Sequence, residues 1–381
     1  MEQLKKAKAY IDALTVDSPV NIPEKIVPDP DGFFTWDNEK RSKNNGQPYL
    51  YQWSYYNGVV FEGLKYVWEA TGEKRYWDYG NAYMQALTKG GAPVETAGYV
   101  PYHGLDCYKT AALLLSFSDS EQSDCYLTAK KLYDDLTRVN ACYTEPGIGG
   151  NYWHSWAKGK APKYKVWLDG LYMGQPFLAE FAARIGDQEQ LDKIAARFAW
   201  VRAHLRCPRN GIFYHAGDDQ GVCTFFWTRA IGWYAMAQVN VMDYMKGAHL
   251  EDMKAGFKDF VDCMMAYQDQ SGLWANLLDR PVTPTNRLET SGTSMMVYST
   301  LKAIEKGWLD DTDGHYRAAC RKAFAGVVDQ KLIDGRLSDT YFKASANGQN
   351  NYEVPADYLT DEGKGVGPFI MAYAQMLKTK W

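Results

Sequence analysis

The chain has little that would serve a nucleic acid, a membrane or a metal. No basic stripe interrupts its 381 residues, whose formal net charge is −4, so a polyanion would find no electrostatic footprint. No apolar run reaches bilayer-spanning length, and no signal-type apolar segment is visible. HxH, HExxH and clustered His/Cys spacings are missing, so neither a metal nor another cofactor is indicated. GxSxG and P-loop patterns are missing too, which lowers α/β-hydrolase and nucleotide-phosphate readings. The seven cysteines, Cys107, Cys125, Cys142, Cys207, Cys223, Cys263 and Cys320, form no CxxC pair and no short-spaced framework. They read as free core thiols, which favours a reducing, cytoplasmic setting; a processed periplasmic form stays open.

What is abundant is aromatic. Hydrophobic residues make up 46% of the chain and aromatics 15%, with 13 Trp and 28 Tyr, more than a packing core needs. Many of these rings pack between helices, but the surplus suits a carbohydrate site, where flat apolar faces and polar edges are both useful. The length implies either two domains or one large closed architecture. No linker divides the chain, so residues 1–381 read as one catalytic domain.

Helical periodicity separates two kinds of segment. Strongly apolar helices are expected from Trp53, His103, Asp169 or Pro176, Phe226, Glu289 and Lys364, and these read as buried, inner helices. Between them fall charged, one-sided stretches: Glu2 to Leu14, Arg75 to Leu87, Glu121 to Leu136, Gln188 to His204, Glu251 to Tyr267 and His315 to Val328. Their pattern suits an outer ring with a solvated face. Gly72, Gly186 and Gly307 stand where helix C-caps want glycine. The alternation predicts an all-α fold, an (α/α)6 barrel, with short β-hairpins in loops near Gly211, Gly272 and Gly335. The long loops Thr15 to Gln52 and Cys142 to Val166 are expected to build one mouth.

If the inner helices run parallel, their N-terminal ends converge, and Asn57, His103, Asp106, Asp169, Arg229 and Lys364 face a common cleft. Asp169 lies in VWLDGLYM among large apolar neighbours, so it must be hydrogen-bonded, neutral or catalytic. A helix-cap role is its plain alternative. Asp106 pairs with it as a candidate acid–base carboxylate, or serves as a first-turn acid favoured by the helix dipole. His154 sits between Trp153 and Trp156, and His215 lies on an expected hairpin; both are able to donate to sugar hydroxyls or a carboxylate, or simply to pack. In FWTRAIGW, Arg229 lies four residues before Trp233, on one helix face, as a stacked or carboxylate-binding pair or an interhelical ion pair.

These motifs resemble the unsaturated rhamnogalacturonyl hydrolases of glycoside hydrolase family 105. The resemblance runs from WSYYNG through YWHSW, VWLDGLYM, FYHAGD, FWTRAIGWYAMA and ETSGTSMM to GKGVGPF. It implies an (α/α)6 barrel and an acidic substrate, the unsaturated uronic acid that a polysaccharide lyase leaves at a non-reducing end. An aspartic acid protonates C4 of the C4=C5 bond, water adds at C5, and the hemiketal opens to release the neighbouring sugar. Carried over by motif, Asp169 is the proton donor and water activator, and Asp106 orients a sugar hydroxyl or shares charge with it. Two such carboxylates raise one apparent pKa, and the apolar collar of Trp167, Leu168, Leu171 and Tyr172 is expected to raise that of Asp169. Tyr55, Asn57, His154, Trp167, His215, Trp227, Arg229 and Trp233 form the implied sugar and carboxylate pocket. Proline suits a first helical turn, so the regular helix is expected to begin at Pro176, with Asp169 in the turn before it. An (α/α)6 epimerase, an inverting glycosidase and a noncatalytic glycan-binding protein are the competing readings. The neighbouring sugar, the origin of the uronate and the oligomeric state are not readable from the sequence.

Overall fold

Apolar and amphipathic helical stretches alternate along the chain, and in the computed structural model they sort into two rings. The structure describes residues 2–14, 53–93, 104–156, 162–342, 344–346 and 351–380. His103, the loop from Thr15 to Gln52 and residues 157–161 of the second long loop lie outside that set. In chain order the helices are α1 (Glu2–Leu14), α2 (Tyr55–Thr71), α3 (Lys74–Leu87), α4 (Ala111–Leu114), α5 (Asp124–Asp134), α6 (Leu168–Ile185), α7 (Gln188–His204), α8 (Thr228–Met242), α9 (Gly247–Met265), α10 (Thr290–Glu305), α11 (His315–Gln330) and α12 (Gly363–Lys378). Even-numbered helices form the inner ring and odd-numbered ones the outer.

The sorting follows from surface chemistry. Every residue of α8 is buried, as a helix apolar on all sides requires, whereas α7 buries only one stripe. The inner ring closes on itself: α2 packs on α12, α12 on α10, α10 on α8, α8 on α6, and α6 returns to α2 through α4. The fold is the predominantly helical (α/α) toroid that the pattern predicted, with small peripheral β-hairpins.

Two inner segments depart from expectation. The helix expected from His103 is a 3-10 turn, Leu105–Tyr108, followed by the single turn of α4. The cause is competition from outside the segment: the Cys107 carbonyl accepts the Trp53 indole N–H at 2.6 Å, while the Thr110 side chain is tied to the Ser54 carbonyl at 3.0 Å. The second departure is α6, which begins at Leu168 and runs through Pro176. Proline removes one backbone donor there, but burial of Gln175, Pro176 and Phe177 holds the helix together. Asp169 is therefore in the first turn, not in a turn before the helix.

Glycine caps occur as expected at Gly72 (φ 74°) and Gly186 (φ 75°), while Gly307 lies one residue past the Lys306 cap. Cys107, Cys125, Cys207, Cys223, Cys263 and Cys320 carry free thiols. Among the described residues no helix is long and apolar enough to cross a membrane. The hairpins near Gly211, Gly272 and Gly335 are present as antiparallel pairs, Ala216–Asp218 with Gly221–Val222, Trp274–Ala275 with Leu288–Glu289, and Leu332–Ile333 with Arg336–Leu337. A strand not foreseen, Val166–Trp167, adds to the edge of Ala216–Asp218.

Candidate active site

That added strand sets the register of the site. Val166 pairs with Gly217 and Trp167 with Ala216, and the Leu168 N–H donates to the His215 carbonyl at 3.1 Å. The chain then turns into α6 with Trp167 as its cap residue, which leaves Asp169 in the first turn. Asp169 and His215, 46 positions apart, are thereby brought together: His215 Nε2 stands 3.1 Å from Asp169 Oδ2. The imidazole is wholly buried, with Nδ1 2.6 Å from the Tyr352 hydroxyl. Trp167 meets the ring edge-on at 5.0 Å and Trp227 lies at 4.9 Å. Burial works to raise the Asp169 carboxyl, but His215, with His154 and Arg229 behind it, outweighs burial and holds it below the ordinary carboxylate value. This corrects the expected upward shift. Tyr172, counted in the apolar collar, instead hydrogen-bonds Glu62 and stacks on Trp233 at 4.8 Å.

Asp106 arrives from the 3-10 turn. Gly104 makes the approach possible: at φ 153° it bridges to Ser155, and a Cβ there would lie 2.5 Å from the His154 carbonyl oxygen. Leu105 N–H donates to that same carbonyl at 3.0 Å. Gly170, next to Asp169, completes the close fit, since a Cβ on it would meet Leu105 Cδ1 at 2.7 Å and His154 Nδ1 at 3.2 Å. His154 stacks on Trp167 at 4.5 Å and holds Nε2 4.0 Å from Asp106 Oδ1. The Asp106 side chain stays 45% exposed in the mouth. Its surroundings raise the carboxyl above the ordinary value, chiefly through loss of water, with Asp169 pushing the same way and His154 and Lys364 opposing. The two carboxyls are thus driven apart, and the raised one is Asp106.

Two cations complete the mouth. Arg229 is 1% exposed, lies over the Trp227 ring at 4.3 Å, and donates to the carbonyls of Tyr341 and, at 3.0 Å, Phe342. Glu289, wholly buried, lies 3.9 Å away. Both terminal nitrogens are therefore committed to protein, closer to the interhelical ion pair than to a ligand clamp. Lys364 donates to the Phe342 carbonyl at 2.5 Å, sits 4.6 Å over both Tyr56 and Phe342, and pairs with Glu362 at 3.3 Å. Burial pulls its amine down to about 8.

Tyr55 stands at the rim, stacked on Tyr56 at 4.1 Å, and its hydroxyl feels the Asp106 charge. Asn57 and Trp233 are brought elsewhere. Asn57 is wholly buried and hydrogen-bonds Tyr83 of the outer α3. Trp233, one helical turn below Arg229, packs in the barrel interior on Tyr172. Tyr352, Tyr56 and Asn276 were missed; Asn276 accepts the Trp227 indole at 2.8 Å and donates to the Tyr352 carbonyl at 2.7 Å. No local spacing marks any of the three. Away from the mouth, Asp311, Asp313 and His315 cluster closely enough for a cation. Asp311, however, is spent on the N–H groups of Tyr316 and Arg317 and on the Arg317 guanidinium, as a helix-terminal cap.

A family model described as Glycosyl Hydrolase Family 88 matches residues 35–380. Protein Atu3128 of Agrobacterium fabrum is 30% identical over 230 residues, covering 54% of this chain and 98% of that one. The unsaturated rhamnogalacturonyl hydrolase YesR of Bacillus subtilis is 23% identical over 338 residues, 87% of this chain and 91% of its own. A family 105 glycoside hydrolase of C. acetobutylicum matches in fold with a TM-score of 0.76 at 23% identity, over 88% of this chain and 97% of that one.

Proposed function

Because the chain belongs to Glycosyl Hydrolase Family 88, within the superfamily it shares with family 105, we propose that it frees the 4,5-unsaturated uronic acid from the non-reducing end of lyase-made oligosaccharides, rhamnogalacturonan fragments first among them. Its membership makes it an enzyme of the glycosidase type, with the hydration chemistry typical of unsaturated-sugar hydrolases. The name of the Bacillus subtilis relative supports the choice of substrate.

In this reading Asp169 protonates C4 of the double bond and then takes a proton from the water that adds at C5. The hemiketal opens and the neighbouring sugar leaves. The observation that carries the reading is the meeting of two carboxyls and two histidines in the mouth, with Asp169 3.1 Å from His215 and Asp106 4.0 Å from His154. Asp169 is held low in the free site chiefly by His215, with His154 and Arg229 behind it. A uronate carboxylate entering the mouth offsets that field and lifts Asp169 towards the protonated form it needs. Asp106 orients a sugar hydroxyl and shares charge with Asp169. His154, Trp167, Tyr55 and Trp227 form the sugar-facing walls, with Arg229 acting through its charge and its stacking on Trp227.

The conjugated enoate absorbs in the ultraviolet, so turnover is directly visible. Lyase-generated unsaturated di- and trisaccharides from rhamnogalacturonan, arabinogalactan and ulvan serve as the panel. Loss of absorbance in step with release of the neighbouring sugar is expected for at least one of them. No loss with any of them, and no released sugar, would sink the proposal.

A further inference from the structure

We propose that Tyr352 is a positioning residue for Asp169: its hydroxyl donates to His215 Nδ1 and so fixes the tautomer that presents Nε2–H to the carboxylate. The proposal rests on the reading of Asp169 as the reacting acid. Asp169 Oδ2 lies 3.1 Å from His215 Nε2, and an ionised carboxylate only accepts, so the proton between them belongs to Nε2. In a neutral ring Nδ1 is then the acceptor. The group facing it at 2.6 Å is the Tyr352 hydroxyl, wholly buried, and burial keeps that phenol protonated and able to donate. The remaining face of the hydroxyl meets Cys223 Sγ at 3.5 Å. Around the imidazole the titratable groups are therefore Asp169 on one nitrogen and Tyr352, backed by Cys223, on the other, while Trp167 and Trp227 fill the ring's flanks.

The tyrosine is itself held. Its ring stacks on Phe225 at 4.1 Å, its carbonyl accepts from Asn276 at 2.7 Å, and the preceding Asn351 carbonyl accepts the Tyr341 hydroxyl at 2.6 Å. A residue far from Asp169 in sequence thus reaches it through one imidazole. With Oδ2 engaged by His215, Oδ1 is the oxygen left to exchange a proton with substrate, so the tautomer decides which carboxylate oxygen reacts.

The test has a part that needs no substrate. Nitrogen-15 spectra of the histidine-labelled protein, recorded where the ring is neutral and with His215 assigned by its loss in His215→Gln, are expected to show a protonated Nε2 and a bare Nδ1. The opposite tautomer overturns the proposal. Tyr352→Phe keeps the ring stack and removes the hydroxyl. We expect kcat to fall about 10- to 100-fold, the scale seen when a functional histidine loses its orienting partner, with KM changed less than about threefold and mixed tautomers in the spectrum. Combined with Asp169→Asn it is expected to add little further loss, as for groups acting as a unit. A kcat within about twofold of wild type, a change confined to KM, or full additivity with Asp169→Asn would each overturn it. If the wild-type protein turns over no unsaturated oligosaccharide, the reading of function fails, and the tautomer spectrum still decides the contact.

Discussion

The two ends of the inner ring use the same residue types to different effect. At the end where the helices start, Asp106, Asp169, His154, His215 and Lys364 gather. At the end where they finish, Glu62, Glu69, Asp243, Lys65, Lys302, Lys306 and Lys378 line a cavity of about 240 Å³. That one ring supplies first-turn residues to one cluster and later-turn residues to the other shows the inner helices running parallel. At the far end charges answer charges: Lys302 and Lys306 hold Asp243 at 2.6 and 3.0 Å, Lys65 and Lys378 hold Glu69 at 3.0 and 3.4 Å, and Lys109 holds Glu62 at 2.5 Å. Burial works against ionised Glu62 and Asp243, and their lysines overcome it. At the mouth Asp106 and Asp169 meet histidines and each other, and they are driven apart. Paired charges of one kind specify the barrel; carboxyls left to histidines and solvent are available for chemistry.

The comparison breaks most sharply at Lys109. Lys109→Met keeps the volume but leaves buried Glu62 with tyrosine hydroxyls and the charge of Lys65 alone, so a loss of about 3–5 kcal/mol in unfolding free energy is expected. Turnover per folded molecule should be near normal. Unchanged stability in a denaturant titration would contradict the structural role of that end.

A smaller effect is expected at Lys364. Its amine is depressed to about 8 by burial. A lysine lowered on folding favours the folded state where it is neutral; that contribution is present above the ordinary lysine range and is lost as pH falls through about 8. Ligand attraction runs the other way, because the cation exists only below about 8. KM for the acidic substrate should therefore rise above about pH 8, by at most about tenfold per unit. Lys364→Arg should flatten that rise; a wild-type KM that is level up to pH 10 would remove Lys364 from the account.

The smallest effect has the opposite sign to that of Lys109. A carboxyl raised on folding favours the folded state where it is protonated, and this is lost as pH rises through the folded value. Ionised Asp106 is thus a cost at neutral pH. Asp106→Asn should stabilise the fold slightly at pH 7, by less than about 1 kcal/mol because the side chain is half open to solvent, and so raise the melting temperature a little. The gain should vanish below about pH 3, where the carboxyl is protonated whether folded or not. A lower melting temperature at pH 7 would place Asp106 with the structural charges.

The helical alternation was legible because burial writes a period into the chain: the expected bounds of Gln188 to His204 are those of α7. Backbone competition was not, which is why the segment after His103 reads as a continuous helix although Trp53, distant in sequence, takes the Cys107 carbonyl. Asp169, His215 and Trp227 could be picked from their motifs, and the structure brings these three together. Trp233 shows the limit of spacing. Four residues put it on the face of Arg229 but about 6 Å deeper along the axis, where it packs on Tyr172 rather than facing the mouth. Tyr352 left no trace because its partner lies 137 positions away and no periodicity links them. The direction of the Asp169 shift is hidden for the same reason: apolar neighbours are visible in sequence, whereas the contact with His215 that a strand register brings about is not.

The most direct measurement is the rate of ultraviolet absorbance loss by Asp169→Asn beside its unfolding curve. The side chain keeps an oxygen for His215 Nε2–H, so a wild-type-like melt is expected, with a rate at least about 10²-fold lower on the positioned acid–base scale. A folded Asp169→Asn protein that consumes the enoate at a near-normal rate would contradict the assignment of the chemistry to the mouth of the barrel.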